Sequence, residues 1–290
     1  MSDLRLATRG SPLALAQSER VATALRGAHP GLTVDVVVVE TTGDRRAEEP
    51  LRTLGGQGIF VKEVQHALLE GAADLAVHSA KDLPALTPDE LVLCAIPERL
   101  DPADVLVGRS LAGLGPGATV ATGSPRRQRL LAELRPDLTF VELRGNMAAR
   151  LAAPGRDGID AIVAAAAALE RLGLSGLVAE RLDPTIVIPQ VAQGAIAVEA
   201  RAGSPAAELA AAISDPTAMR CVSAERSFLA TLGAGCNVPV AAWCTGDAGE
   251  LVLRAVMVDE PSGAVGRLTL RGVDGLALGR QAALELSADR

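Results

Sequence analysis

The 290-residue chain is nearly devoid of aromatic side chains: three Phe, one Trp and no Tyr. That excludes the stacking platforms on which single-stranded nucleic acids are held. Lysine is almost as scarce, since of 28 basic residues only Lys62 and Lys81 are lysine and the rest are arginine. There is no basic excess either. The formal net charge is −7, the wrong sign for a nucleic-acid-binding protein. Long apolar runs are missing. The longest, Ala161 to Leu169, has nine residues, less than half of the ~20 a membrane-spanning helix needs. The opening "MSDLRLATRG" lacks the apolar stretch of a secretory signal, so a cytoplasmic protein is expected. The four cysteines form no C-x-x-C pair and stand far from His29, His66 and His78. Neither a metal site nor a disulfide is expected from that spacing. Cys94, Cys221 and Cys244 read as small core residues.

What remains is an ordinary globular composition, 49% apolar and 22% charged, long enough for two or three domains. Short apolar strands alternate with helical segments. "LRLATRG" reads as a strand, and Ser11 and Pro12 as the cap and first residue of a helix. "LTVDVVVVE" reads as a buried strand, the glycine-rich stretch from Thr41 to Gly58 as a mobile loop, and "DLAVHSAKDLP" as a strand running into a turn. A second strand–helix series starts near residue 103, and "TIVIPQVAQGAIAVEAR" reads as two strands around a Gln-Gly turn. The pattern predicts an α/β protein with largely parallel sheets, closed by a small α+β unit with an antiparallel sheet. No internal repeat is strong enough to claim.

Three clusters can carry chemistry. "ATRGSPLA" and "ATGSPRRQ" both place Thr, Gly and Ser-Pro between a strand and a helix. Free N–H groups at a helix start, with hydroxyls beside them, attract anions. Arg9, Arg126 and Arg127 stand at these turns, with Arg144, Arg150 and Arg171 farther on, and the arginine fork suits carboxylates. In a chain this rich in arginine, any single one also reads as solvated surface. In "HSAKDLP", Lys81 and Asp82 form either a surface ion pair or a carboxylate held ionised for charge stabilisation and proton transfer. In "GAGCNVP", Cys236 sits among turn-forming residues, where its thiol is a bystander, a nucleophile or an anchor.

Taken together, "ATRGSPLALAQ", "GGQGIFVKEVQHALLEGAADLAVHSAKDLP", "SPRRQRLL", "LRGN", "IPQVAQGAIAVE" and "ERSFLATLGAGCNVP" resemble, in order, the sequence blocks of the porphobilinogen deaminase (hydroxymethylbilane synthase) family. The resemblance implies three domains: residues 1–99 with 194–215 and residues 100–193 as two lobes with mixed sheets, like those of periplasmic binding proteins, and residues 216–290 as a cofactor-anchoring α+β domain with an antiparallel sheet. It implies a transferase that joins four porphobilinogen molecules head to tail, releasing ammonia, to give 1-hydroxymethylbilane for tetrapyrrole biosynthesis. Cys236 would hold a dipyrromethane primer by a thioether, and Asp82 would be catalytic. Lys81, Ser79, Thr122, Ser124, Arg126, Arg127 and Gly145 would hold the cofactor. Arg9, Ser11, Arg144, Arg150, Arg171 and Gln193 would hold substrate, with Arg171 lining the cleft and Gln193 at the hinge. Phe60 would pack over the pyrroles or in the core. The implied partners are porphobilinogen and a downstream uroporphyrinogen III synthase; a monomer without metal, nucleic acid or membrane is expected.

The chain departs from the family pattern at Thr53 and Gln57, where lysines are common, at Ala80, usually larger, and in "RGNMAAR", which lacks an Asp-Thr pair. A two-lobed binding protein for an organic anion and a cysteine hydrolase are the competing readings from the residues alone.

Overall fold

The computed structural model describes residues 3–41, 61–143, 145–233, 239–247, 249–259 and 263–288. The first described elements are β1 (Asp3–Arg9), α1 (Pro12–Ala28), β2 (Thr33–Val39), α2 (Lys62–Leu69), β3 (Leu75–Ser79) and β4 (Leu91–Ala95). A second series runs β5 (Asp104–Val107), β6 (Thr119–Ala121), α3 (Pro125–Leu134), β7 (Thr139–Val141), α4 (Met147–Leu151), β8 (Ala161–Ala165), α5 (Ala166–Arg171) and β9 (Val178–Arg181). Then come β10 (Ile196–Arg201), α6 (Pro205–Ala211), α7 (Pro216–Thr231), β11 (Val240–Gly246), β12 (Leu251–Val258), β13 (Val265–Gly272) and α8 (Gly275–Ala288).

Capping chemistry sets the helix starts. Ser11, Ser124, Ser204 and Asp215 each accept a backbone N–H from the first turn, and each is followed by proline. Proline's fixed φ suits that position, where its missing N–H costs nothing. The strands form two five-stranded sheets, ordered β2-β1-β3-β10-β4 and β7-β6-β8-β5-β9, and a three-stranded sheet β11-β12-β13. In the first, β1 runs parallel to β2 and β3 while β10 is antiparallel to β3 and β4. In the second, β6 runs parallel to β7 and β8 while β5 is antiparallel to β8 and β9. Each sheet with its helices forms a lobe. The third sheet is wholly antiparallel, as expected.

Two expectations change, and a third point is settled in favour of the family resemblance over the strand–helix alternation alone: the large sheets are mixed, because β5 and β10, which follow the two crossings between lobes, enter against the parallel strands. β2 is an edge strand, with Val36 and Val38 exposed (38% and 57%), so its unbroken apolar run does not mark double-sided burial. Residues 184–188 form no strand: Asp183 starts a turn, its carbonyl accepting from Ile186 and Val187 at 3.1 and 2.9 Å, and Pro189 has no N–H for a ladder. The structure also shows what side chains concealed: the two lobes share one strand order. The two Thr–Gly–Ser-Pro turns fall at equivalent places in it, between β1 and α1 and between β6 and α3. The stretch 42–60, which holds most of the loop expected at Thr41–Gly58, lies outside the described residues.

Two crossing segments join the lobes. Arg99 bridges Ala195, Leu100 N–H donates to the Gly194 carbonyl at 3.1 Å and Ile196 N–H to the Glu98 carbonyl at 3.2 Å. Gly194 has φ +89°, and a Cβ there would sit 2.4 Å from the Leu100 oxygen, so only glycine fits. The third sheet docks on this hinge through α7. Phe228 of α7 is fully buried in one apolar cluster with Ile96, Val191 and Ala195. Beside it the buried Glu225 accepts from Arg99 Nη1 (2.6 Å) and Nη2 (3.1 Å), Ala192 N–H (2.6 Å) and Cys244 N–H (2.7 Å). One carboxylate thus ties the hinge to the third unit.

Candidate active site

On the first lobe, the ends of the parallel strands β1 and β3 point their last side chains into a cleft of about 60 Å³, lined among others by Arg9, Ser11, Gln17, His78, Ser79 and Asp82. Open α/β sheets bind ligands at such strand ends. Ser11 caps α1, its Oγ accepting Ala14 N–H at 3.3 Å. Ser79 Oγ donates to Oε1 of the buried Gln17 at 3.0 Å. A short 3-10 turn, Ala80–Asp82, then carries the half-buried Asp82 to the cleft and the half-buried Lys81 to Gln193. Below, the buried His78 Nε2 lies 3.3 Å from Glu199 Oε2, which also accepts from Gln65 Nε2 at 2.8 Å. Burial works to raise the Glu199 carboxyl, but His78 and Gln65 hold it below its ordinary value.

On the second lobe the equivalent turn carries Thr122 and Ser124. Thr122 Oγ1 accepts Ser124 N–H at 3.2 Å, and Ser124 Oγ accepts Arg127 N–H at 3.4 Å, capping α3. The first turn of α3 therefore presents Arg126 and Arg127 to Asp104, a fully buried acid at the head of β5. Arg126 Nη2 donates to Asp104 Oδ2 at 2.8 Å, and Arg127 Nε and Nη2 donate to Oδ1 at 3.0 and 2.6 Å. Burial alone would raise the Asp104 carboxyl; the two guanidiniums hold it far below its ordinary value. Arg150 Nε donates to the carbonyl of Gly145 (φ +90°) at 2.8 Å. Burial and then Arg127 lower the Arg150 value, and Asp82 opposes them, so a second-lobe guanidinium feels the first-lobe acid.

Gln193, on the hinge, joins the two walls. Its Nε2 donates to the Pro102 carbonyl at 2.7 Å and to Asp104 Oδ1 at 2.8 Å; its Oε1 accepts from Lys81 Nζ at 3.3 Å and from Arg127 Nη2 at 3.5 Å. Lys81 is pushed down to about 8, first by desolvation and then by the charge of Arg127.

Asp82, Ser79, Arg9 and Ser11 thus share one wall, Thr122, Ser124, Arg127, Gly145 and Arg150 belong to the second lobe, and Lys81 and Gln193 link the two. Two of the expected ligand arginines are engaged by protein groups. Arg126 is 4% exposed and spends its fork on Asp104 and the Ile188 carbonyl (2.7 Å). The Arg171 side chain is 3% exposed and bonds Glu98 Oε1 (3.1 and 3.2 Å) and the Gly194 carbonyl (2.8 Å). These contacts brace the hinge. Cys236, Arg144, Phe60, Thr53 and Gln57 lie outside the described residues. Sequence reasoning missed Gln17, Glu199, Glu225 and Asp104; for Asp104, the one available signal was an acid directly heading the apolar strand "DVLV".

Among the described residues no group of three or more His, Cys, Asp or Glu could hold a metal ion, and no helix is long and apolar enough to cross a membrane. Comparison with known proteins accounts for nearly the whole chain. Residues 4–208 match the family model "Porphobilinogen deaminase, dipyromethane cofactor binding domain", and residues 219–288 match "Porphobilinogen deaminase, C-terminal domain". The chain is 46% identical to the porphobilinogen deaminase of Roseiflexus castenholzii, over 96% of this chain and 90% of that protein. It is 47% identical to that of Nitratidesulfovibrio vulgaris, over 99% and 93%. Among solved structures it is similar to the periplasmic VFT2 domain of Bordetella pertussis BvgS, at 18% identity and TM-score 0.43, covering 73% of this chain and 86% of that one. With both lobes and the third unit matched, and with nearly half of all positions shared with curated relatives, the chain belongs to the porphobilinogen deaminase family.

Proposed function

We propose that this chain joins four porphobilinogen molecules head to tail with loss of ammonia, giving 1-hydroxymethylbilane, and that Asp82 is its catalytic acid and base. Each pyrrole carries an acetate and a propionate, so the donors must be cations and hydroxyls, and those are the side chains the cleft supplies. A dipyrromethane fits this donor set. Arg127, Lys81, Ser79, Thr122, Ser124 and the turn at Gly145 would hold it, with the thioether on Cys236 and Arg126 acting through Asp104. The group supplies a nucleophilic pyrrole carbon fixed in place. Arg9, Ser11, Arg150 and Arg144 would orient the substrate carboxylates, while Arg171 and Gln193 keep the hinge in register.

Asp82 Oδ atoms then have three tasks. They deliver the proton that lets the substrate C–N bond break with its electrons leaving on ammonia. They stand against the cation left on that carbon, and they take the proton released when the new C–C bond forms. A pre-oriented carboxylate serves both proton transfer and charge stabilisation. The observation that carries this reading is Asp82 on the cleft wall with Arg9, Ser11 and Ser79, within electrostatic reach of Arg150 from the other lobe. The shared strand order supports dividing the chain into lobes 1–99 with 194–215 and 100–193, and a third domain 216–290. The reading keeps a cytoplasmic monomer whose product a uroporphyrinogen III synthase consumes.

Ammonia release from porphobilinogen by the purified protein tests it. Wild type should release one ammonia per pyrrole joined. Asp82→Asn, folded and still carrying the cofactor, should be slower by about 10²-fold or more, the scale of a lost general acid–base. Most of the activity surviving in Asp82→Asn would remove Asp82 from the mechanism.

A further inference from the structure

Asp104 lies outside the cleft lining, yet Arg126, Arg127 and, through Gln193, Lys81 lead back to it. Its fully buried carboxylate takes one hydrogen bond from Arg126, two from Arg127 and one from Gln193. A buried ion pair is a poor device for stability, because desolvation offsets most of the attraction. It is a good device for fixing geometry. The Gln193 amide shows how. Asp104 Oδ1 and the Pro102 carbonyl are both acceptors, at 2.8 and 2.7 Å, so only the NH₂ end of the amide can face them. The oxygen end must then point the other way, where it accepts from Lys81 Nζ and Arg127 Nη2.

We propose that Asp104 is a positioning residue for the reaction: it dictates the polarity of the Gln193 amide, which fixes the Lys81 ammonium of the first lobe, and it anchors Arg127 on the second. The inference rests on the porphobilinogen-polymerising reading but concerns a residue that touches neither substrate nor cofactor. Electrostatics agree with the geometry. Lys81 faces Arg127 and Arg126 on α3, Asp82 beside it and Asp104 on β5; the arginines lower its pKa and both acids raise it. Removing the Asp104 charge therefore disfavours the ammonium.

The chain's two lysines make the test direct. With ¹³Cε-labelled lysine the holoenzyme gives two side-chain signals, and Lys62→Arg assigns them. In Asp104→Asn the Lys81 midpoint should fall from about 8 by about one pH unit, the scale of a lost neighbouring charge. The alkaline limb of kcat/KM should move down with it. KM for porphobilinogen should rise about tenfold with kcat changed much less, the signature of lost uniform binding. A purely structural role would lower Tm and leave the Lys81 midpoint and the limb in place, and that result overturns the proposal. Should Asp104→Asn fail to fold, Gln193→Met keeps the buried ion pairs and cuts the link to Lys81. It should move both readouts the same way, and wild-type values for it would equally overturn the proposal. Asp137→Asn, an exposed acid paired with Arg135 beyond the end of α3, should leave both readouts alone; a shift there as large as in Asp104→Asn also counts against the proposal. If wild type turns over no porphobilinogen, the functional reading fails, and the Lys81 titration decides the role of Asp104 by itself.

Discussion

Lys81 shows how much one side chain can report. Desolvation and Arg127 bring it from an ordinary 10.5 to about 8, so it titrates just above neutrality. As pH rises through that value the ammonium proposed to hold ligand carboxylates is lost, and kcat/KM should fall. Lys81→Arg, which stays charged, should push that fall to higher pH; an unchanged limb would detach Lys81 from ligand binding. The same shift bears on stability. Between about 8 and 10.5 the unfolded chain binds the proton more tightly than the folded one, so this site's contribution to stability rises with pH across that window. Asp104 acts in the same sense at much lower pH. Its folded value lies below the ordinary 3.8, so its contribution is full above that value and is lost only in strong acid.

At the scale of elements, the caps matter most, because they aim the arginines. Ser124→Ala removes the side-chain acceptor at the start of α3 and should cost about 1 kcal/mol, measurable as a lower Tm. Since Arg126 and Arg127 ride on that first turn, KM should rise with it; a loss of stability without any change in KM would separate the cap from the site. Such local chemistry was legible in the sequence. Ser11-Pro12 and Ser124-Pro125 marked two helix starts, and the order of strands and helices followed from apolar runs. What was not legible depends on partners far away in the chain. "TVDVVVV" looks the same at a sheet edge as at its centre. Whether Arg126 or Arg171 faces ligand or protein is decided by Asp104, Glu98 and Gly194, which are brought to them only by folding. The antiparallel entry of β5 and β10 is a property of the two crossings, and no residue pattern announces it.

At the scale of the molecule, three units meet at one hinge, and Glu225 fastens them. Its four hydrogen bonds join Arg99, Ala192 and Cys244. Glu225→Gln leaves the Arg99 guanidinium buried without its counter-charge, which should cost about 3–5 kcal/mol and lower Tm by many degrees; a near-native Tm would show that the third unit docks by apolar contact alone. The overall charge of −7 is compatible with an anionic substrate because the local field decides: Arg9 lines the cleft, and Lys81 and Arg150 lie within electrostatic reach of Asp82 on its wall. The account as a whole depends on a primer tethered at Cys236 and held among those cations. Intact-mass spectrometry of the purified protein measures that tether. Wild type should be heavier than its sequence by one dipyrromethane, and Cys236→Ser should show the bare chain. Wild type that stays at the bare mass after incubation with porphobilinogen, or Cys236→Ser that keeps the adduct, would contradict it.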